Sequence, residues 1–316
     1  TGEAASFQTQ QLVSQAINVT SGSLGDVTLG APGGSPANIT APRIVGNIDV
    51  TNGAISGTVQ TTVGDFGRAI KDSTGKITGV TFIRAGGGGL TSTGQIISAA
   101  NLVSLINLQS NLDGVVAAQG DIGIIKTDAS GNAVVDSSGA LTRFGGINVS
   151  TGGLNGSVIA LGNVFGDINI GGGLGGRIAV KGRTVAGLDT FRTGILGNVS
   201  VNGGISTTGA IVSAGLIGDD GSNNITNDSA GTKLNISGTA KGILAAGGDI
   251  NFGSTGSLSQ AHVFENTGGT ANKAVIDAIF TKDNGVALTI PNGLDSILAD
   301  LGNLTVDSNG LTGTNP

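Results

Sequence analysis

Residues 153–182 read GLNGSVIALG, NVFGDINIGG and GLGGRIAVKG, three successive blocks of ten. Gly156, Gly166 and Gly176 stand ten apart, as do Gly162, Gly172 and Gly182, and Val158, Ile168 and Ile178. After an interruption, residues 194–203 (GILGNVSVNG) repeat the block. Its core is Gly, a small polar residue, Ile or Val, any residue, and then an apolar one. That core recurs at Gly25-Asp26-Val27-Thr28-Leu29, Gly46-Asn47-Ile48-Asp49-Val50, Gly197-Asn198-Val199-Ser200-Val201 and Gly248-Asp249-Ile250-Asn251-Phe252, with weaker copies at Gly57 and Gly120. Apolar residues at i and i+2 share one side of a strand, so Ile168 and Ile170 point inward and Asn169 outward. Glycine then cuts the strand, and its tolerance of positive φ suits a tight corner. Strands this short cannot bury a face alone, but stacked copies can pair above and below and share one core. The expected fold is all-β: a parallel β-helix (β-solenoid) with short Gly corners and two or three ten-residue sides per coil. An antiparallel meander would place Asn-Gly turns between longer alternating runs. Asn52-Gly53 and Asn155-Gly156 are present, but the strands between such pairs are too short.

The beat covers residues 17–260 and is broken near 63–85, 97–111 and 125–143. The first and third breaks read as hairpin arms, with turn residues around Asp72-Ser73-Thr74-Gly75 and Asp128-Ala129-Ser130-Gly131-Asn132. In 97–111 the spacing of Leu102, Leu105, Ile106 and Leu108 reads as a helix or loop insertion. Residues 1–16 carry Ala4, Ala5, Phe7, Leu12, Val13 and Ala16 roughly at helical spacing, which predicts an N-terminal capping helix over the open end. Residues 261–316 predict a small α/β C-terminal cap or assembly module, with helices near 272–281 and 293–301 and a strand at 286–290.

Composition narrows the function classes. Of 316 residues 59 are glycine, against a usual share of about 7%. Cys, Met, Trp and Tyr are absent, there is one His, His262, and charged residues make up 11%. No disulfide, thiolate metal site or multi-histidine zinc site can be built. Five Pro exclude collagen. Abundant apolar residues and a mean hydropathy of +0.25 argue against disorder. A net charge of −6 argues against nucleic acid, which needs a basic face. No apolar run approaches the roughly 18 residues of a membrane helix. Of 21 acidic residues only Glu3 and Glu265 are Glu, and Asp suits turns. A start at Thr1 with no Met reads as a mature or trimmed product, and a chain without oxidisable Cys or Met suits long life outside the cell.

Gly218-Asp219-Asp220-Gly221 places two carboxylates together, a pairing that does glycosidic chemistry in β-helical polygalacturonases. The rest of that pattern is missing: there is no Asn-Thr-Asp, and His262 lies in Ala-His-Val. No catalytic residue is assigned, and the chain reads as a non-enzyme. Hard oxygens crowd the same segment, so Asp219, Asp220, Asn224 and Asp228 form a candidate calcium loop, the alternative being a solvated polar loop. Arg177, Lys181, Arg183 and Arg192 could bind an anion or pair with Asp167 and Asp189. Sequons at Asn18, Asn38, Asn148, Asn198, Asn224, Asn235 and Asn303, with Asn155 and Asn227, are glycosylation candidates, although several simply repeat the strand motif. Without Trp or Tyr, an aromatic sugar platform has only nine Phe to draw on.

The repeated units, as in Gly166-Asp167-Ile168-Asn169-Ile170, resemble the repeats of bacterial surface β-helix proteins, such as adhesins and autotransporter passengers, over roughly residues 17–258. The resemblance implies an extracellular or cell-surface structural or adhesive role. The expected function is a β-solenoid subunit of a surface filament, sheath or layer that associates with itself. The alternatives are an adhesin stalk or domain that binds a glycan or cell-surface partner through the two arms and, third, a glycan-degrading enzyme.

Overall fold

The computed structural model describes residues 5–9, 16–30, 38–128, 133–135, 137, 141–185, 188, 192–219, 231–264, 271–282, 285–307 and 310–312. Two long parallel sheets dominate. Sheet A runs from Ala5–Thr9 to Phe252–Ser257 in eleven strands, the short Arg43–Ile44 pairing beside the main path; sheet B runs from Ile17–Asn18 to His262–Phe264 in ten. The chain visits the sheets alternately, and each new strand pairs in parallel with the one laid down a coil earlier. Between strands, single-residue bridges form two further ladders, including Leu102↔Ile122 and Leu154↔Leu174, each joining residues twenty apart. The uninterrupted coil is therefore twenty residues, and the ten-residue beat is half of it. The coil at 154–173 turns six residues inward: Leu154, Val158, Ala160, Val164, Ile168 and Ile170, all but fully buried. Ten stacked strands at about 4.8 Å spacing give a column about 43 Å long.

The corner glycines work differently from the expectation. Of those at the ten-residue interval only Gly182 takes a positive φ, +79°. The rest are glycine because the coils touch there. A Cβ on Gly176 would lie 1.9 Å from the Gly156 carbonyl oxygen, and one on Gly156 would lie 1.9 Å from that of Gly114.

The small polar residue after the corner also has a structural task. Its side-chain oxygen accepts the backbone N–H of the coil above. Asp26 takes Asn47 N–H (2.7 Å) and Asp167 takes Asn198 N–H (2.8 Å). At another corner the chain of acceptors runs from Asp65 to Asn101, Asp121, Asn163 and the Gly194 N–H. Asn163 is fully buried; its Oδ1 accepts from Gly194 and Arg183 N–H, and its Nδ2 donates to the Arg183 carbonyl. Asn163→Ala strands those backbone groups, and urea unfolding should show a loss of about 2 kcal/mol.

The expected N-terminal capping helix gives way, over its described part, to a strand. Ala5–Thr9 lies parallel to Ser23–Leu29, with Phe7 opposite Val27 and Thr9 opposite Leu29. Pairing with an existing ladder outweighs a weak helical spacing. Residues 1–4 and 10–15 lie outside the described residues. Nor is 97–111 an insertion: Gln95–Ser98 and Leu105–Leu108 are regular strands, and Leu102, Ile106 and Leu108 are core. Their spacing, a corner followed by i+4 and i+6, imitates a helix over so short a run.

The two arms are present. Ala69–Lys71 pairs antiparallel with Ile77–Val80. Ile124–Ile125 pairs antiparallel with Arg143–Phe144 and continues outward through the Thr127↔Ala133 and Val135↔Leu141 bridges. Both arms leave the coil between the end of a sheet B strand and the start of the next sheet A strand. The second arm is held by its own apolar cluster, in which Ile125, Ala133 and Leu141 meet Phe165, Leu188 and Leu196.

The solenoid continues through His262–Phe264, slightly past the expected boundary. The C-terminal module contains two helices, α1 (Ala271–Ile279) and α2 (Leu294–Gly302), and the hairpin Thr305–Asp307/Gly310–Thr312. In place of the expected strand at 286–290 there is one bridge, Thr281↔Ala287. The module packs sideways: Ile276, Phe280, Leu294, Ile297 and Leu301 cover the outer face of sheet B. Beneath them lies an outward-facing ladder, Ile97, Ala117, Ile159, Ala179, Val212 and Ala245, which climbs six coils in register. Sheet A presents the opposite character outward, with Asn107, Asn148, Asn169 and Ser200 in one row.

Candidate functional site

With sheet B covered, the open long face is sheet A, and the arms rise beside it. Between their roots lies a groove of about 410 Å³. One wall is Gly79 and Val80 from the first arm; the other is Arg143, Phe144 and Gly145 from the second. The floor is sheet A itself, through Phe82, Leu105, Asn107 and Asp167. Phe82 and Phe144 are the residues at which the two arms rejoin the coil, and both are half-buried. Gly145 and Gly146 take φ of +85° and +110°, so the chain turns sharply from arm into strand where a side chain would be strained.

The charges around the groove are largely matched. Arg84 makes a two-pronged ion pair with Asp49 (2.8 and 2.5 Å), which raises the Arg84 pKa, and its guanidinium stands 5.9 Å from the Phe82 ring centre. Asp167 accepts both the backbone and the side-chain N–H of Asn198 through one oxygen. Arg143 donates to the Leu141 carbonyl within its own arm.

Two of the basic residues expected to cluster are held by different carboxylates. Arg183 forks onto Asp121 (3.0 and 2.5 Å), which raises its pKa, whereas Asp167 is engaged by Asn198; Asp189 lies outside the described residues. Burial pushes the Arg177 pKa down. Arg192 is 2% exposed and pairs with Asp219, itself 5% exposed by side chain. The Asp219 carboxylate expected to face a cation thus faces a guanidinium. Its backbone also exchanges hydrogen bonds with Thr232, which closes the root of that segment. Asp220, Asn224 and Asp228 lie outside the described residues, and among the described residues no three His, Cys, Asp or Glu gather as a metal set would.

The sequon residues divide by role. Asn38, Asn198 and Asn235 accept backbone N–H groups from the next coil, and Asn148 donates to Asn107 at 3.3 Å. Asn18, Asn155 and Asn303 are exposed. Asn224 and Asn227 lie outside the described residues. Sequence reasoning located the arms but missed Phe82, Phe144 and Asn107. The available signal was the position of two of the nine Phe at the two arm junctions.

Fold and groove together define a parallel β-solenoid with a twenty-residue coil, one face braced by its own C-terminal module and the other open between two arms. Comparison with protein-family models, with characterised proteins and with solved structures finds no match to this chain.

Proposed function

We propose that the chain is a structural subunit of an extracellular filament, sheath or layer, built by stacking copies end to end. The observation that carries this reading is the state of the two column ends. The sheet A core column begins at Phe7, which is 38% exposed, whereas its neighbour Val27 is fully buried. The sheet B column ends at Val263, 36% exposed, above a fully buried Leu244. Among the described residues Ala5–Thr9 and His262–Phe264 have a strand on one side only. Such ends are templates for further pairing. Top against bottom is a heterologous contact that does not close on itself, and it propagates into a filament. The lateral position of the C-terminal module leaves this geometry in place.

Negative-stain microscopy and sedimentation over a concentration series test the reading. Polymers that lengthen with concentration are expected, and Val263→Lys or Phe7→Lys should shift the population to monomer with the melting temperature little changed. A monodisperse monomer at every concentration would overturn it. A second reading, a ligand-binding adhesin domain, is favoured by the groove between the arms.

A further inference from the structure

We propose that the groove between the arms binds a neutral polysaccharide, whose chain lies along the solenoid axis across the outer face of sheet A. The inference deepens the adhesin reading and is independent of end-to-end stacking.

Three observations carry it. First, the groove combines two half-buried phenyl rings, Phe82 and Phe144, with a polar floor at Asn107. Rings accept the C–H faces of a sugar, and a carboxamide both donates to and accepts from its hydroxyls. Second, Asn107 is the first of a row. Asn148, Asn169, Ser200 and Asn235 follow it on successive coils, in unbroken register from Asn107 to Asn169. The row rises about 4.8 Å per step along the axis, so it offers a repeating hydrogen-bonding edge to a repeating ligand. An extended peptide would instead pair with a sheet edge, and this is a sheet face. Third, the charges balance. Arg143 and Asp167 bring one charge of each sign to the lining, and Arg84 beside it is paired with Asp49. A lining with one charge of each sign favours neither an anionic nor a cationic polymer, and an uncharged one needs no such match. The floor is preorganised by the parallel ladder and the second arm by its own apolar cluster, so little ordering opposes binding.

The test is calorimetric titration of the Val263→Lys variant, and of the unmodified chain, with neutral hexasaccharides (β-1,4-linked glucose, β-1,4-linked mannose and α-1,4-linked glucose). Hexagalacturonate and a glucosamine hexamer serve as the charged counterparts. Saturable binding of a neutral hexamer is expected, similar at low and high salt. Phe144→Ala and Asn107→Ala should each weaken it about tenfold. Phe144→Leu keeps apolar volume without the ring, so it decides the matter if Phe144→Ala melts early. The proposal is overturned if no neutral hexamer saturates, if a charged hexamer binds more tightly, or if folded Phe144 and Asn107 variants bind as the unmodified chain does. Binding by a monomeric Val263→Lys variant separates this outcome from the fate of the filament reading.

Discussion

Gly176→Ala should destabilise the column by about 3 kcal/mol, at the upper end of the cost of overpacking a tight interior. The added Cβ would lie 1.9 Å from the Gly156 carbonyl oxygen, far inside contact distance. That oxygen cannot simply step aside, because it accepts the Arg177 N–H at 2.9 Å. Below it the same contact repeats, from Gly156 to Gly114 at 1.9 Å and from Gly114 to Gly94 at 2.0 Å. Relief in one coil therefore presses on the next, and Gly156→Ala combined with Gly176→Ala should cost more than either alone. Urea unfolding measures the effect. Gly302→Ala is the control: this glycine ends α2, and a Cβ there meets nothing within 4 Å. Alanine at that site should be neutral or stabilising by up to about 1 kcal/mol. Equal behaviour of Gly176→Ala and Gly302→Ala would refute the stacking explanation.

Asp219→Ala should cost about 3–5 kcal/mol, because it leaves the Arg192 guanidinium buried without its carboxylate. Arg192→Met leaves the opposite charge and should cost a similar amount. The double change Arg192→Met with Asp219→Leu removes both charges from the interior and should recover most of the loss. Thermal melts of the unmodified chain, Arg192→Met, Asp219→Leu and the double variant form a complete cycle. They also bear on the calcium expectation: a calcium-dependent rise in melting temperature that disappears in Asp219→Asn would return that carboxylate to a metal set.

The stacked architecture was legible because a coil without insertions repeats its corners and its inward residues at fixed intervals, as at Val158, Ile168 and Ile178. A distinction inside the same motif separates the two sheets. Residues 167–170 (DINI) and 146–149 (GINV) alternate apolar with polar, as a half-exposed strand does. Residues 157–160 (SVIA) and 243–246 (ILAA) do not alternate, because their third position is buried too. That difference marks sheet B as covered and requires a cover, and the apolar faces of 271–279 and 294–302 supply one. Backbone freedom alone does not explain the repeated glycines: at most of those corners the decisive quantity is space, which depends on a neighbour distant in sequence. Helical spacing misled at Phe7 and at Leu102 to Leu108 for a related reason: over few residues, corner-plus-strand and helix share the same intervals, and only the partner strand separates them. The groove was half visible, since the arms stand out as turn-rich breaks. The convergence of Phe82 and Phe144 on one floor depends on how coils stack.

The C-terminal module spans the coils from Ile97 to Ala245, whereas the outward positions of the first three coils, Asn18, Thr40 and Gln60, are polar. Under tension along the axis the molecule should therefore behave as a splinted spring. The first coils peel off singly at low force. The six beneath the module are tied in parallel through one sideways clasp and yield together. Unfolding under load should thus begin at the N-terminal coils, the third of which carries the root of the first arm, before it reaches the coils beneath the module.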